Sequence, residues 1–179
     1  MKAKTLFDKI WDNHVVRSIE DGPDVLYIDM HYIHEVTSPQ AFNGLKERGI
    51  PVFRPEKTLA TADHNIPTKD QHLQIRDILS RNQVEKLSEN CLKYGIELFG
   101  LNNSKNGIVH VRGPELGYTL PGMTIVVGDS HTSTPGTLAT LDYRPGTNDV
   151  ARVLVTQCIL QTKHQTMRIT LNDNSIKAV

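Results

Sequence analysis

The amino-acid sequence predicts a layered α/β/α domain built on a largely parallel β-sheet. Segments with helical periodicity alternate along the chain with short apolar runs rich in β-forming residues, and this alternation is typical of parallel sheets covered by helices. The 179 residues suffice for one ordinary domain with its own core, and they contain no internal repeat. We therefore expect residues 1–179 to form a single α/β domain.

The first part of the sequence predicts a helix, a strand and a second helix. Apolar side chains recur at helical spacing over residues 5–15, and residues 25–32 are rich in β-formers. Thr37-Ser38-Pro39 then offers a cap and a proline, which begin a helix that reaches residue 45. A strand-to-helix junction is therefore predicted at residues 34–40.

The rest of the sequence predicts two further helices and several short strands. Residues 69–94 carry apolar side chains at helical intervals and precede Gly95, a natural helix stop, so they predict one long helix, either continuous or broken near residues 80–82. Residues 149–160 show the same helical pattern. The β-like runs lie at residues 58–61, 96–101, 108–111 and 124–127. Because ligands of such domains bind at the carboxyl ends of the strands, the residues that follow these runs are the first candidates for a site.

Composition argues against several classes of partner. Lysine plus arginine and aspartate plus glutamate both total 20, so no net charge favours nucleic acid, an anionic membrane or an acidic protein. The apolar stretches are far shorter than the roughly 20 residues that span a bilayer. The first residues also lack the apolar core of a signal peptide. We expect a cytoplasmic protein that binds neither membranes nor nucleic acid.

The two cysteines, Cys91 and Cys158, do not form a metal-binding or redox motif. Both lie in stretches with helical periodicity, and neither has a second cysteine at C-x-x-C spacing. Free cysteine is commonly buried, so we expect both thiols to lie in the core without a disulfide. Their positions predict neither a zinc site nor an iron–sulfur site in this chain.

Asp63-His64-Asn65 is the first candidate for proton-transfer chemistry. It follows the run at residues 58–61 and precedes Ile66-Pro67-Thr68, so it lies on a loop that leaves a strand. An aspartate bonded to a histidine raises the basicity of the imidazole and fixes its tautomer. The alternative is an Asx turn that caps the following helix and leaves His64 merely exposed.

Gly128-Asp129-Ser130-His131-Thr132 is the second candidate. It places polar and flexible residues at the end of the apolar run 123–127, and buried polar groups need partners. The glycine lets the backbone approach a ligand, the serine offers a hydroxyl to a carboxylate, and Asp129 with His131 gives a second proton-transfer pair. A turn that caps a helix is the alternative.

Three other patterns carry less weight. His110 ends the run at residues 108–111, where a lone histidine is typically structural. His31-Tyr32-Ile33-His34-Glu35 lacks the order and spacing of H-E-x-x-H on a helix, so we predict no metal site there. Asp129-Ser130-His131 is no serine-hydrolase triad, because triad residues converge from separate chain positions and the sequence has no G-x-S-x-G elbow.

Taken in order, five motifs resemble the aconitase superfamily and, within it, the large subunits of isopropylmalate dehydratases. The motifs are His34-Glu35-Val36-Thr37-Ser38-Pro39-Gln40-Ala41-Phe42, Ala62-Asp63-His64-Asn65, Gly107-Ile108-Val109-His110-Val111, Leu120-Pro121-Gly122-Met123-Thr124 and Gly128-Asp129-Ser130-His131-Thr132. Each motif is weak alone, but the combination is highly specific, and the resemblance extends from the start of the chain to about residue 170. It implies the N-terminal portion of a larger subunit.

The resemblance implies a reversible dehydration and rehydration that moves a hydroxyl between neighbouring carbons of 2-isopropylmalate and 3-isopropylmalate, in leucine biosynthesis. By the same resemblance, Asp63 and His64 correspond to the pair that protonates the departing hydroxyl. The residues that resemble the second acid–base and water-orienting group are His110, Asp129 and His131. Those that resemble the substrate-binding amide and hydroxyl are Gln40 and Ser130.

The resemblance also implies a cofactor and a partner. In the family, a [4Fe-4S] cluster held by three cysteines binds the substrate as a Lewis acid. Those cysteines have no counterpart in this sequence, so we expect the isolated chain to bind no cluster and to be inactive alone. A separate small subunit and a small dicarboxylate substrate are implied for the full enzyme. Apolar surface that further domains would cover also predicts self-association.

The segment 135–147 departs from the family pattern. The family usually continues with His-Gly and small residues, whereas this stretch contains bulky and charged ones, and Pro145 restricts Arg144 to extended conformations. We interpret the segment as diverged. Two alternatives remain open: a non-catalytic α/β module with residual dicarboxylate or metal binding, and a fragment of a homoaconitase-like hydro-lyase.

Overall fold

The computed structural model describes residues 3–129, 136 and 138–167. The helices in this part of the chain are α1 (Leu6–His14), α2 (Ser38–Arg48), α3 (Ile78–Tyr94), α4 (Val109–Glu115) and α5 (Thr147–Thr156), with a 3₁₀ turn at Pro55–Lys57. The strands are β1 (Val15–Ser18), β2 (Asp24–Tyr27), β3 (Met30–Ile33), β4 (Thr58–Thr61), β5 (Glu97–Phe99), β6 (Thr124–Val127), β7 (Leu141–Tyr143) and β8 (Cys158–Gln161). None of these helices has the length and apolar character needed to cross a bilayer.

Five strands form a parallel sheet in the order β5-β4-β3-β6-β7, which confirms the predicted fold class. From β3 the chain adds β4 and β5 on one side, and it then returns to add β6 and β7 on the other. The strand order therefore reverses between β3 and β6, a point at which open α/β sheets bind ligands. β7 lies in the segment 135–147 and completes this sheet. A second, antiparallel sheet of β1, β2 and β8 was not predicted.

Helices cover both faces of the parallel sheet, as the sequence predicted. On one face, apolar side chains of α2, α3 and α5 form a buried cluster with Ile33 of β3. On the opposite face, Val109 of α4 packs with Tyr32 and Ile125. Successive residues of β3 thus point to opposite faces, and both faces are buried, as is usual for a central parallel strand.

Several predicted elements are present with nearly the predicted bounds. The helix predicted at residues 5–15 is α1, which Thr5 and Asp8 open with a capping box. The helix predicted to reach residue 45 is α2, which ends at Gly49 in the left-handed conformation. The predicted runs that form β4, β5 and β6 all pair in the parallel sheet.

The run predicted as one strand at residues 25–32 is two strands that lie in different sheets. β2 pairs in the antiparallel sheet and β3 in the parallel sheet. Asp29 lies between them, where its carboxylate accepts the backbone N–H of Thr124 at 2.8 Å and lies 2.8 Å from Nε2 of His14. The sequence correctly predicted β structure in this run. The change from one sheet to the other depends on contacts of Asp29 with distant residues.

The prediction of a β-like run at residues 108–111 is wrong, since these residues enter helix α4. A carboxylate oxygen of Asp63 accepts the backbone N–H of Val109 at 2.8 Å, and so satisfies a donor of the first helical turn. A short apolar run does not by itself distinguish a strand from a helix. The correction moves His110 from a strand end to the first turn of a helix.

The long helix predicted at residues 69–94 begins only at Ile78, and it is continuous through residues 80–82. Asp77 is its N-cap and accepts the backbone N–H of Ser80 at 2.7 Å. Upstream, Asp70 adopts a left-handed conformation with φ 52°, which interrupts helical geometry. The spacing of apolar residues alone led to the prediction of a helix at residues 69–77, which instead form an irregular loop.

The helix predicted at residues 149–160 ends about one turn early. Gln157 adopts the left-handed conformation, and its side-chain amide donates to the carbonyl of Ile28 at 2.8 Å. The chain then enters β8, so Cys158 lies half-buried on a strand instead of in a helical core, which corrects the prediction. Cys91 is buried as predicted, and both thiols are free.

Candidate active site

Polar residues follow three neighbouring strands at the carboxyl edge of the parallel sheet. β3 leads into His34-Glu35, β4 into Ala62-Asp63-His64 and β6 into Gly128-Asp129. Because the strands are parallel, the three segments meet at one edge, around the point where the strand order reverses. The structure therefore brings together the two segments that the sequence singled out.

Asp63 and His64 form the hydrogen-bonded pair that the sequence predicted. Nδ1–H of His64 donates to Oδ1 of Asp63 at 2.6 Å, which leaves Nε2 available to a ligand. The other oxygen of Asp63 accepts the backbone N–H of Val109. The carboxylate is 3% exposed and the imidazole 34%. Asp63 thus fixes the tautomer and the orientation of a histidine that solvent and small molecules can reach.

The surroundings of His64 favour its protonated form. Burial lowers the pKa of the imidazole, but the hydrogen bond to Asp63 and the negative charges of Asp63, Glu35 and Asp129 raise it, and the net result is a pKa above 6.5. These interactions favour the imidazolium, whose Nε2–H can donate a proton. A general acid requires this property.

Asp129 joins His64 to a second histidine. Oδ2 of Asp129 lies 2.9 Å from Nε2 of His110, and Oδ1 lies 3.7 Å from Nε2 of His64. The side chains of His110 and Asp129 are 7% and 8% exposed. Asp63, His64, Asp129 and His110 thus form one continuous line of acid–base groups, of which His64 is the most accessible. His110, typically structural when judged alone, lies within this line.

The remaining predicted site residues stay predictions. Ser130 and His131 lie outside the described residues. Gln40 is exposed in the first turn of α2, where it lines a cavity of about 490 Å³ between α2 and α5. This cavity is distinct from the one of about 600 Å³ that His64 lines, so the described contacts do not yet link Gln40 to the acid–base line.

His34 is a site residue that the sequence did not single out. Its ring stacks on that of His64, with the ring centroids 4.2 Å apart and the planes at 15°. Nδ1 accepts the N–H of Val36 at 3.3 Å, so Nε2–H donates to the carbonyl of Gly128 at 3.1 Å. Burial lowers the pKa of His34, and the neighbouring His64 lowers it further. His34 is therefore a neutral stacking partner for the imidazole of His64.

Glu35 is the second residue that the sequence did not single out. It is fully buried, and its carboxylate accepts the backbone N–H groups of Asp63, His64 and Asn65. The available signal was the position of His34-Glu35 directly after a strand. Metal-site spacing rules do not detect such a residue, because they test side-chain ligands and not acceptors for backbone N–H groups.

Four residues of the site could together reach a metal ion. Their ligand atoms lie within 4.8 Å of one another; the residues are His34, Glu35, Asp63 and His64. Hydrogen bonds within the group and to the backbone engage atoms of all four residues, although Nε2 of His64 is available. The described contacts therefore form a hydrogen-bonded network, and the absence of a metal site stays a prediction.

The cysteines do not fit an iron–sulfur cluster. Such clusters are bound by thiolates, whereas burial raises the pKa of the Cys91 thiol to about 12 and so keeps it protonated within the core. Burial also raises the pKa of the Cys158 thiol, which lies in the antiparallel sheet. Neither residue offers a ligand to a cluster at the carboxyl edge of the parallel sheet.

The parallel sheet and the histidine and aspartate side chains at its carboxyl edge define an α/β domain with a cluster of titratable groups. Comparison with known sequences narrows this class. The sequence model of the aconitase family (aconitate hydratase) matches residues 8–179. The chain belongs to the aconitase family.

Similar curated proteins are named 3-isopropylmalate dehydratase large subunit. The one from Flavobacterium johnsoniae is 60% identical and the one from Cytophaga hutchinsonii 58% identical, each over 177 residues, or 99% of this chain and 38% of the relative. The one from Bacteroides thetaiotaomicron is 57% identical over 175 residues, or 98% of this chain and 38% of the relative. The chain therefore spans about 38% of the length of these relatives.

Proposed function

We propose that this chain supplies acid–base groups to a hydro-lyase that interconverts 2-isopropylmalate and 3-isopropylmalate in leucine biosynthesis. The observation that carries the proposal is the line Asp63, His64, Asp129 and His110 at the carboxyl edge of the sheet. The names of relatives at 54–60% identity support the substrate.

The geometry suits the elimination of water from a hydroxy acid. Hydroxide is a poor leaving group, so an acid must protonate it as the C–O bond breaks, while a base takes the proton from the neighbouring carbon. We assign only the acid to the described residues and propose that the base lies outside them. His64 holds that proton on Nε2, and Asp63 stabilises the charged imidazolium. In the reverse step, the same nitrogen takes a proton from the attacking water. Asp129 lies 3.7 Å from this nitrogen and is itself held by His110, so it can orient that water.

The chain does not carry every part of such a site. Aconitase-family dehydratases use a [4Fe-4S] cluster, which supplies Lewis-acid chemistry when bound, and neither Cys91 nor Cys158 fits it. The relatives are named large subunits, which implies a small subunit in their full enzymes. We propose that the cluster ligands and the small subunit lie outside these 179 residues.

The test uses the chain alone and within a chimera. The chain alone, incubated anaerobically with iron and sulfide, should form no alkene from 3-isopropylmalate, and clear turnover would contradict its incompleteness. In the chimera, the chain replaces the matching 177 residues of the Flavobacterium johnsoniae large subunit and is assayed with the small subunit of that organism. We expect isomerisation of 3-isopropylmalate in preference to homoaconitate.

Variants of the chimera test the role of His64. His64→Asn should lower kcat by roughly 10²- to 10⁴-fold, the contribution typical of a general acid. His72→Asn, at an exposed histidine in the next loop, is the matched control and should leave kcat unchanged. Equal activity of both variants would refute the assignment. An inactive chimera, together with calorimetric binding of 2-isopropylmalate or Zn²⁺ by the chain, would favour the non-catalytic module.

A further inference from the structure

The loop that carries Asp63 and His64 rests on a single buried carboxylate. Glu35 has no exposed surface. One of its oxygens accepts the N–H of His64 at 2.8 Å and also that of Asn65, and the other accepts the N–H of Asp63 at 3.3 Å. Three successive amides of one loop therefore converge on one side chain from the turn that follows the neighbouring strand β3.

The charge state and length of Glu35 suit this contact closely. An ionised carboxylate accepts hydrogen bonds at both oxygens and has no donor of its own, whereas a glutamine would direct an N–H₂ group at the same amides. Leaving buried N–H groups without acceptors is costly. The amides of the loop therefore need the carboxylate as an acceptor, and the buried carboxylate needs the amides as donors.

The contact has a direct consequence for His64. With the amides of residues 63–65 held, the side chains of Asp63 and His64 leave the loop in the directions that form their 2.6 Å bond. The groups that face the imidazole of His64 are Asp63, Glu35 and Asp129 as negative charges, and His34 as a neutral ring. Burial lowers the pKa of His64, and the charge of Glu35 is among the contributions that raise it.

We propose that Glu35 is a positioning residue that orients the Asp63–His64 pair by binding the backbone beneath it. Glu35 has no solvent-exposed surface, so we assign it an action through the loop and not on a substrate. The inference deepens the proposed function, because it rests on the role of His64 as the acid. The orientation itself is independent of that role.

The first arm of the test is NMR on this chain with the variant Glu35→Gln. Relative to the unaltered chain, the pKa of His64 should fall, the hydrogen-bonded Nδ1–H signal should weaken, and the amides of residues 63–65 should exchange with solvent at least about tenfold faster. Glu47→Gln, an exposed glutamate on α2, is the matched control and should change none of these signals. A folded Glu35→Gln chain with unchanged His64 signals would overturn the proposal.

The variant Glu35→Asp distinguishes the effect of the position of the carboxylate from the effect of its charge. It also provides the test if Glu35→Gln fails to fold. It keeps the charge but withdraws the carboxylate by one methylene, so a positioning role predicts that the Nδ1–H bond weakens although the charge remains. An effect of charge alone would leave this bond intact and would overturn the proposal. Unfolding of both variants would also overturn it, because a purely structural role would then account for Glu35.

The second arm is kinetic and uses the chimera. Because a misplacement of about 1 Å can cost roughly 100-fold in rate, Glu35→Gln should lower kcat by about 10- to 100-fold with little change in KM. An unchanged kcat would overturn the proposal. If the unaltered chimera is itself inactive, the proposed function fails, and the NMR arm still decides the role of Glu35.

Discussion

Burial has the largest single effect on the pKa of His64 and lowers it, and the hydrogen bond to Asp63 is the largest of the interactions that raise it. We expect Asp63→Asn to lower the pKa of His64 from above 6.5 to below it, because burial then dominates. The raised pKa also means that the pair stabilises the folded chain fully below pH 6.5, and that this contribution is lost as the pH rises through the folded pKa.

Histidine NMR titration measures this change directly. Asp21→Asn is the matched control, because Asp21 is exposed in the turn between β1 and β2 and asparagine tolerates its left-handed backbone. The pKa of His64 should be the same in this control as in the unaltered chain. A His64 pKa that stays above 6.5 in Asp63→Asn would show that the remaining charges, and not the hydrogen bond, maintain it.

His31 gives the chain a sensitivity to acid that is unrelated to the site. It is completely buried in β3, and among the described residues neither of its ring nitrogens has a hydrogen-bond partner. Burial lowers its pKa from 6.5 to about 3. Between these pH values the unfolded chain binds a proton that the folded chain excludes. The free energy of unfolding should therefore fall by up to about 1.4 kcal/mol per pH unit as the pH drops below 6.5.

His31→Leu should remove this sensitivity. Replacing a buried group that has no partners with an apolar side chain of similar volume should change stability at pH 7.5 by less than about 1.5 kcal/mol. From pH 6.5 to 5, the variant should lose about 2 kcal/mol less stability than the unaltered chain. Urea unfolding at each pH measures both, and His72→Leu, at an exposed histidine, should retain the acid sensitivity.

At the scale of single residues, the sequence revealed part of the site. Asp63 and His64 are adjacent, and Asp129 follows an apolar run, so local reasoning found them. The contacts of Glu35 and His110 depend on chain segments 19 to 30 residues away. No spacing rule within one segment can predict such pairs.

Among the elements, α2 and β6 approach so closely that they require a glycine. A Cβ atom at Gly128 would lie 2.6 Å from the hydroxyl oxygen of Thr37, the N-cap of α2. The sequence predicted that this glycine permits close approach to a ligand, whereas the described close contact is with Thr37. We expect Gly128→Ala to destabilise the chain by about 1–3 kcal/mol.

A double-mutant cycle tests the origin of that strain. Thr37→Ala removes the opposing hydroxyl, so Gly128→Ala should cost much less in its presence, with a coupling of at least about 1 kcal/mol. Chemical denaturation of the four proteins gives the coupling. If the losses of stability in the two single variants simply add in the double variant, the strain in Gly128→Ala arises from another contact in the turn after β6.

Helices and strands were predicted accurately where the periodicity of the sequence and the residues that flank the element agreed. The helix α1 and the strands β4 and β6 were predicted because periodicity and flanking residues agreed. The strand predicted at residues 25–32 was divided by Asp29, and the run at residues 108–111 became a helix capped by Asp63. In both cases a tertiary hydrogen bond from a distant element overrode local propensity.

For the whole molecule, exposed apolar side chains near the site predict self-association. Leu73, Ile78 and Leu79 are 55%, 61% and 75% exposed, and Leu73 lines the cavity beside His64. Sedimentation velocity should show a mass that rises with concentration. Leu79→Glu should reduce this rise, whereas Leu92→Glu, at an exposed leucine near the other end of α3, should not. A mass independent of concentration would contradict the expectation.

The site also ties ligand binding to the folding of the whole sheet. His34 bonds to Gly128 across 94 residues of chain, so the acid–base line forms only after distant parallel strands have paired, a slow type of folding event. A small molecule that binds at this line would recognise the folded chain and not the unfolded one. At 100 times its dissociation constant it would add about 2.7 kcal/mol to the free energy of unfolding. The supply of such a ligand would then also set how long the chain survives proteolysis.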